Sequence, residues 1–281
     1  MTNIFACIDG SPAMTAVCDA AAWAAANTGL PVTLLHVLEK NEFEGESDLS
    51  GNIGLGSREQ LLKELAELDH QRSRLAHEQG RMLLNSSKEY LADLGMTGVE
   101  TLQRHGQLVE TALELASGMR MLIMGKQGTT HVHELIGSHI ENVIRTLTNP
   151  IMVAQPGFQA PSRFLFAYDA SPTAKKVLEL IASSPLLKGL ECELVMVGEP
   201  NDEHERQLAQ AKQVLKSAGI KVTARLLQGE IVPVICLHAT EVGCDLIVMG
   251  AYGHSRIRQF IVGSTTTGML KTSHTSLLLL R

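Results

Sequence analysis

The chain has 281 residues, of which 24 are Lys or Arg and 30 are Asp or Glu, so its formal net charge is −6, and only 4% of the residues are aromatic. At about 150 residues per domain, this length suits two domains. The negative charge and the few aromatic rings disfavour a nucleic-acid surface, which needs a basic patch and stacking side chains. No apolar run approaches the roughly 18 residues that span a bilayer, and the N-terminus MTNIFACIDG lacks a signal-peptide pattern. A small molecule or another protein is therefore the expected partner, and no membrane is expected.

The cysteines and histidines favour a chain without disulfides or metal. The cysteines are Cys7, Cys18, Cys192, Cys236 and Cys244. Their number is odd and they form no C-x-x-C pair, so we expect a reducing, cytoplasmic location. His131, His133 and His139 crowd one segment, but they lack the spacing of a zinc site and are interpreted as a polar loop.

The first elements form a strand followed by a helix. IFACI, in IFACIDGSPAM (4–14), is a short apolar run of the kind found in strands buried on both faces. After Asp9, Ser11 is predicted to cap a helix that has Pro12 at its first position and ends at Gly29. The next apolar run, in VTLLHVLE (32–39), is predicted as the second strand.

An insertion follows the second strand. Residues 40–56 are rich in Gly, Ser, Asp and Glu and are predicted to form a mobile loop. From Ser57 a helical pattern begins, with leucines on one face at 61, 62, 65 and 68. We interpret it as a long surface helix, with a partner-binding arm as the alternative. Further apolar runs, in MLIMGKQG (121–128) and PIMVAQ (150–155), are predicted as strands.

The second part of the chain repeats the first in the same order. FLFAYDASPTA (164–174) matches IFACIDGSPAM and places Asp169 opposite Asp9, and DLIVMGAYG (245–253) matches MLIMGKQG. SLLLLR (276–281) takes the place of PIMVAQ. We therefore predict an α/β fold of two similar open, parallel, Rossmann-like sheets of five strands, in tandem. The expected domains are 1–156, with the insertion at about 40–95, and 162–281, joined by a linker at 157–161.

The segment GAYGHSRIRQFIVGSTTTG (250–268) follows a predicted strand and leads into a helix. Gly250 and Gly253 let backbone amides approach a ligand, and Gly263 with Ser264 opens a helix whose first N–H groups suit a phosphate. The plainer interpretation is a turn followed by a helix cap. Asp169, at the end of a neighbouring strand, can accept ribose hydroxyls or meet a phosphate-bound cation, and its plainer interpretation is helix capping with Ser171.

These motifs resemble the universal stress protein family, specifically its tandem members, over nearly the whole chain. The ATP-binding members have Gly, two residues, Gly, nine residues, then Gly-Ser or Gly-Thr, and residues 250–264 match that pattern in full. The resemblance implies that Ala167 and Val197 face adenine, that Asp169 contacts ribose or the metal-phosphate region, and that Met249 and Gly250 flank the sugar. It implies that the phosphates are held by Gly253, Gly263, Ser264, Thr265 and Thr266.

The first half departs from the family pattern, because only eight residues separate Gly128 from Gly137. A second nucleotide site there would use Asp9, Val37, Met124, Gly125, Lys126, Gly128, Gly137 and Ser138, with Lys126 as the phosphate cation. The C-terminal strand is an exposed edge unless PIMVAQ pairs with it, which would make the chain its own pseudo-dimer; a homodimer is the alternative.

The resemblance implies a cytoplasmic stress-response regulator, or ligand-gated switch, that binds ATP, with magnesium as the accompanying cation, chiefly in the second half. An unidentified protein partner is expected to read its state. No Walker loop or nucleophile elbow occurs, so at most a weak ATPase is expected. The alternatives are an adaptor that binds no nucleotide and a slow ATP hydrolase.

Overall fold

A computed structural model of the chain describes residues 2–39, 55–126, 138–251 and 264–281, without the side chains of 55–62, 138 and 139. The inserted loop predicted before Gly56 therefore lies almost wholly outside the described residues.

Strands and helices alternate in the first half. Its strands are β1 (Asn3–Cys7), β2 (Val32–Leu38), β3 (Glu100–His105), β4 (Met119–Gly125) and β5 (Ile151–Ala154). Its helices are α1 (Met14–Thr28), α2 (Leu55–Asp93), α3 (Leu108–Leu115) and α4 (Ser138–Thr146). A short 3₁₀ turn covers Ala116–Gly118.

The second half repeats this order. Its strands are β6 (Arg163–Ala167), β7 (Glu191–Val197), β8 (Lys221–Leu227), β9 (Leu246–Gly250) and β10 (Ser276–Leu280). Its helices are α5 (Pro172–Ser183), α6 (Asp202–Ser217), α7 (Ile231–Glu241) and α8 (Ser264–Thr272), with a 3₁₀ turn at Pro185–Leu187. The two halves differ most in α2, which has 39 residues where α6 has 16.

The ten strands of the described residues form one sheet, in the order β3-β2-β1-β4-β5-β10-β9-β6-β7-β8. The strands of each half are parallel, and the halves join where β5 runs antiparallel to β10, with Met152 opposite Leu278. Helices cover both faces of the sheet and enclose two apolar clusters. This explains the nearly continuous apolar runs of the strands. The α/β tandem fold and the pairing of PIMVAQ with SLLLLR are confirmed.

Helix α5 begins as the sequence predicts, whereas α1 does not. Ser171 Oγ accepts the N–H of Ala174, and Pro172 is the first helical residue. The predicted Ser11 cap is wrong: α1 starts at Met14, after a turn closed by the N–H of Met14 on the carbonyl of Ser11. Ser11 Oγ is buried and has no hydrogen-bond partner among the described residues, because its own turn leaves no helical N–H within its reach. The predicted stop at Gly29 is confirmed, with φ +67° at the C-cap.

The segment between β5 and β6 contains neither helix nor strand, as a linker requires. Within it Phe158 is buried against Trp23 of α1, with ring centroids 6.1 Å apart. The linker bounds 157–161 remain a prediction, and the packing of Phe158 makes this joint part of the core.

Candidate functional site

The carboxyl ends of β6, β7 and β9 meet at one edge of the sheet. β6 lies between the other two strands, in parallel register, with Ala167 opposite Met249 of β9 and Val195 of β7. Ala167 and Val197 are half-buried there, whereas Met249 is buried. An edge of this kind is where open α/β sheets bind ligands.

Asp169 follows β6 and organises a tight turn. Its Oδ1 accepts the N–H of Ser171 at 3.0 Å, and Ser171 in turn caps α5. Between them Ala170 takes φ +56°, a left-handed conformation that disfavours a side chain. Asp169 therefore helps to shape the start of α5 while its side chain remains exposed at the sheet edge.

Gly250 closes β9 in a crowded place. A Cβ built on it would lie 3.2 Å from Cγ2 of Thr173, in the first turn of α5. Glycine thus lets the β9 backbone approach α5 closely beside Asp169. A nucleotide would need this kind of close backbone access.

Helix α8 begins at Ser264, the serine that ends the glycine motif of residues 250–264. Ser264 is exposed, Thr265 is half-buried and the side chain of Thr266 is buried. Ser264 and Thr265 therefore present their side chains near the N-terminus of α8, while Thr266 packs inward. Gly253 and Gly263 lie outside the described residues, as do His254, Arg256 and Arg258.

The first half repeats the Asp turn. Asp9 is exposed, its Oδ1 accepts the N–H of Ser11 at 2.9 Å, and Gly10 has φ +73°. Val37 and Gly125 are half-buried and Met124 is buried, as are their counterparts at the other edge. Gly128, Gly137, His131 and His133 lie outside the described residues. Ser138 and His139 are described only as backbone of α4.

Lys126, expected as a phosphate cation of the first half, is buried and reaches across to the second half. Its Nζ donates hydrogen bonds to the carbonyl of Ser273 at 2.8 Å and to that of Lys271 at 3.2 Å. Burial lowers the pKa of its ammonium group. These carbonyls lie at the end of α8, where a cation also interacts favourably with the helix dipole.

A reciprocal contact holds α4. The guanidinium of Arg281 donates from Nη2 to the carbonyls of Ile144 at 2.5 Å and Arg145 at 2.8 Å, near the end of that helix. Gln155, the counterpart of Arg281 in the repeat, donates to the carbonyl of Ser273 at 2.8 Å. Each half therefore supplies donors to the C-terminus of the other half's predicted phosphate-binding helix. No local sequence pattern predicted these contacts, and the only signal for them was the polar residue that ends both PIMVAQ and SLLLLR.

Two kinds of feature are absent from the described residues. No group of three or more His, Cys, Asp or Glu side chains there could hold a metal ion. No helix in those ranges is both long and apolar enough to cross a membrane.

Comparison with known proteins agrees with this architecture. The model of the universal stress protein family matches residues 1–155 and 194–281. Universal stress protein Slr1230 of Synechocystis sp. is 34% identical over 287 aligned positions, covering all of both chains. Universal stress protein MJ0577 of Methanocaldococcus jannaschii is 27% identical and covers 44% of this chain and 76% of its own length.

A full-length structural likeness supports the fold. A universal stress protein from Archaeoglobus fulgidus superposes with a TM-score of 0.74, at 19% identity, over 99% of this chain and 96% of its own. The duplicated sheet, the repeated Asp turn and the family match together lead to one conclusion. The chain belongs to the universal stress protein family, as a member with two such domains in tandem.

Proposed function

We propose that the chain binds ATP at the carboxyl edge of its second half and that occupancy of this site acts as a stress-response signal. The observation that carries the proposal is the grouping of the exposed Asp169, the close backbone approach at Gly250 and the half-buried strand-end surface of Ala167 and Val197. A carboxylate, bare backbone and apolar side chains are the three chemistries that ribose, phosphate and adenine need.

Each part of the nucleotide then has a partner. Ala167 and Val197 offer half-buried apolar contact for adenine, and Asp169 accepts hydroxyls of the ribose beside Met249 and Gly250. The phosphates meet the N–H groups and hydroxyls at the start of α8, where the helix dipole favours negative charge. Gly253, Gly263, Ser264 and Thr265 are the phosphate residues of the proposal, and Thr266, whose side chain is buried, contributes only its backbone N–H.

Magnesium would be bound mainly by the phosphates, since Asp169 is the one carboxylate that the proposed site offers among its described residues. Magnesium ordinarily binds through one or two carboxylates together with substrate phosphates and water. Oδ1 of Asp169 is also engaged by the N–H of Ser171. We propose binding with, at most, slow hydrolysis, and we place the chain in the cytoplasm, which its five free cysteines favour.

The second half is proposed as the better site because it alone keeps the full glycine spacing, and because the cation that the first half offers is engaged elsewhere. Lys126, immediately after β4, has its ammonium bonded to carbonyls of α8. The matching position after β9 is Ala251, which has no charge to contribute. A first-half site would therefore have to hold phosphate without the cation that its sequence offers.

The test compares two matched variants, Asp169→Asn and Asp9→Asn. Each keeps an oxygen that can accept the turn N–H, so both should fold, and each removes one carboxylate charge. ATP binding is measured by isothermal titration after the protein has been unfolded and refolded to remove carried-over ligand. We expect Asp169→Asn to weaken binding by about tenfold, as for loss of a charge-assisted hydrogen bond, and Asp9→Asn to leave it within about twofold.

The opposite ranking of the two variants would contradict the assignment to the second half. Folded wild-type protein that binds no ATP would remove the proposal and favour an adaptor without nucleotide. A turnover assay on the same samples distinguishes a regulator from a hydrolase.

A further inference from the structure

A cavity of about 270 Å³ lies where the two halves meet. One side is built by residues at the beginning of β1, β4 and β5, and the other by the end of α5, the turn Pro185–Leu187 and β10. Its walls are mostly aliphatic, including Ile4, Leu186 and Leu280. Its described lining shares no residue with the proposed nucleotide site.

The repeat explains why this space is open. Aligning Asp9 with Asp169 places Trp23 of α1 at the position that Ser183 occupies in α5. The seam between the halves is the pairing of β5 with β10, and the cavity lies at one end of it. Trp23 is buried and packs on Phe158 of the linker, so two rings fill the equivalent place at the other end. Ser183, which lines the cavity, is small and exposed. The seam is therefore filled by aromatic rings at one end and leaves a cavity beside Ser183 at the other, open end.

The charged residue of the cavity follows the same contrast. Aligning Gly125 with Gly250 places Arg120 opposite Asp245. At the filled end, the carboxylate of Asp245 accepts the N–H groups of Ser162 at 2.8 Å and Arg163 at 3.2 Å, at the start of β6. At the open end, Arg120 is the one charged member of the described lining, and no described residue pairs with its guanidinium. The cavity is therefore apolar and lies beside the guanidinium of Arg120, which is unpaired among the described residues.

We propose that this cavity is a binding site for a small aliphatic carboxylate. The hydrocarbon part fills the cavity at the open end, which is equivalent to the space that Trp23 and Phe158 fill at the other end. The carboxylate pairs with Arg120. The volume lies just below the range of about 300–1,000 Å³ usual for drug-sized ligands, so a short acyl chain suits it better than a long one. Removal of apolar surface from water supplies the affinity, and the exposed ion pair adds selectivity for an anion.

Octanoate is the probe, with 1-octanol as its uncharged control, each titrated into the full-length protein by calorimetry. Arg120→Gln removes the charge at an exposed position, so folding should be unaffected. We expect this variant to weaken octanoate binding by about fivefold, the value of an exposed ion pair, and to leave octanol binding unchanged. Arg104→Gln, at an exposed position of β3, is the matched control and should change neither.

Ser183→Trp places in α5 the residue that its counterpart, Trp23, provides in α1. It should abolish binding of both probes, whereas Ser217→Trp, at an exposed position outside the cavity lining, should abolish neither. Octanoate binding that survives Ser183→Trp, or its absence from folded wild-type protein, would overturn the site. Equal affinity of octanoate and octanol would overturn the part given to Arg120.

Discussion

At the scale of single residues, the turn after the first strand of each half shows how the repeat has diverged. The left-handed position is Gly10 in the first half and Ala170 in the second, with φ +73° and +56°. Alanine is strained there by about 1–2 kcal/mol, because its Cβ crowds the following carbonyl. Ala170 is the one non-glycine residue with positive φ among the described residues. The strain lies beside Asp169, the central residue of the proposed site.

We therefore expect Ala170→Gly to raise the free energy of unfolding by about 0.5–1 kcal/mol, the relief of strain less the extra chain entropy of glycine. Gly10→Ala is the reverse experiment. The free energy of unfolding of this variant should fall by more than about 0.5–1 kcal/mol, because the added Cβ would also lie 3.2 Å from two carbons of Leu83. Urea unfolding measures both, and a less stable Ala170→Gly would contradict the argument.

A second residue-scale prediction concerns the thiol of Cys18 in α1. Burial raises its pKa from 9.0 to about 11, against a smaller opposing effect of a hydrogen bond with Ser87. The folded state therefore retains the proton that the unfolded state loses, so this contribution to stability is complete below about pH 9 and is lost as the pH rises towards 11. The loss amounts to at most about 3 kcal/mol.

Comparison with Cys18→Ala isolates this effect. We expect the free energy of unfolding of the wild type to fall more steeply between pH 9 and 11 than that of the variant. Parallel curves from denaturant unfolding across that window would show that Cys18 titrates alike in both states.

At the scale of elements, α4 and α8 are each held at the C-terminus by the opposite half. Lys126 and Gln155 donate to carbonyls at the end of α8, and Arg281 donates to carbonyls near the end of α4. The last carbonyls of a helix have no partner within the helix and need such donors. The N-termini of the same two helices form part of the two predicted phosphate sites.

We expect Lys126→Met to lower the free energy of unfolding by about 1–3 kcal/mol, because it keeps the apolar stem but leaves the carbonyl of Lys271 without this donor. Lys126→Arg keeps donors and a charge and should recover part of the loss. Thermal and urea unfolding are the measurements. Unchanged or higher stability in Lys126→Met would mean that desolvation of the ammonium already offsets its hydrogen bonds.

At the scale of the whole molecule, the antiparallel pairing of β5 with β10 makes one sheet of two repeats. Leu278 lies at this seam, opposite Met152, and each is at most 1% exposed. Because strands and apolar side chains of both halves meet here, the halves should stabilise each other. The buried linker residue Phe158 and the contacts of Lys126 and Arg281 add to the same coupling.

We therefore expect wild-type protein to unfold in a single calorimetric transition, and Leu278→Asp to separate it into two by placing an unpaired charge in the seam. Leu237→Asp is the control, since this α7 side chain is 61% exposed and the charge remains in water. Two transitions in the wild type would show that the halves fold independently despite the shared sheet.

The amino-acid sequence by itself determined most of the strands, the presence of helices α1, α2, α5 and α8, the duplication and the candidate glycine and Asp169 positions. These depend on local patterns, namely apolar runs, capping residues and glycine spacing, which are readable without tertiary contacts. The start of α1 was predicted wrongly, because a side chain identical to Ser171 meets a different turn geometry at Ser11.

Only the tertiary structure decided where Lys126, Gln155 and Arg281 donate, why Ser183 and Arg120 border an open cavity, and how the two sheets become one. The hydrogen bonds of Lys126, Gln155 and Arg281 join residues more than 100 positions apart, such as Lys126 and Ser273. Hydrogen-bond partners at that distance are set by how the halves dock, through the pairing of β5 with β10. No periodicity within either half encodes that arrangement.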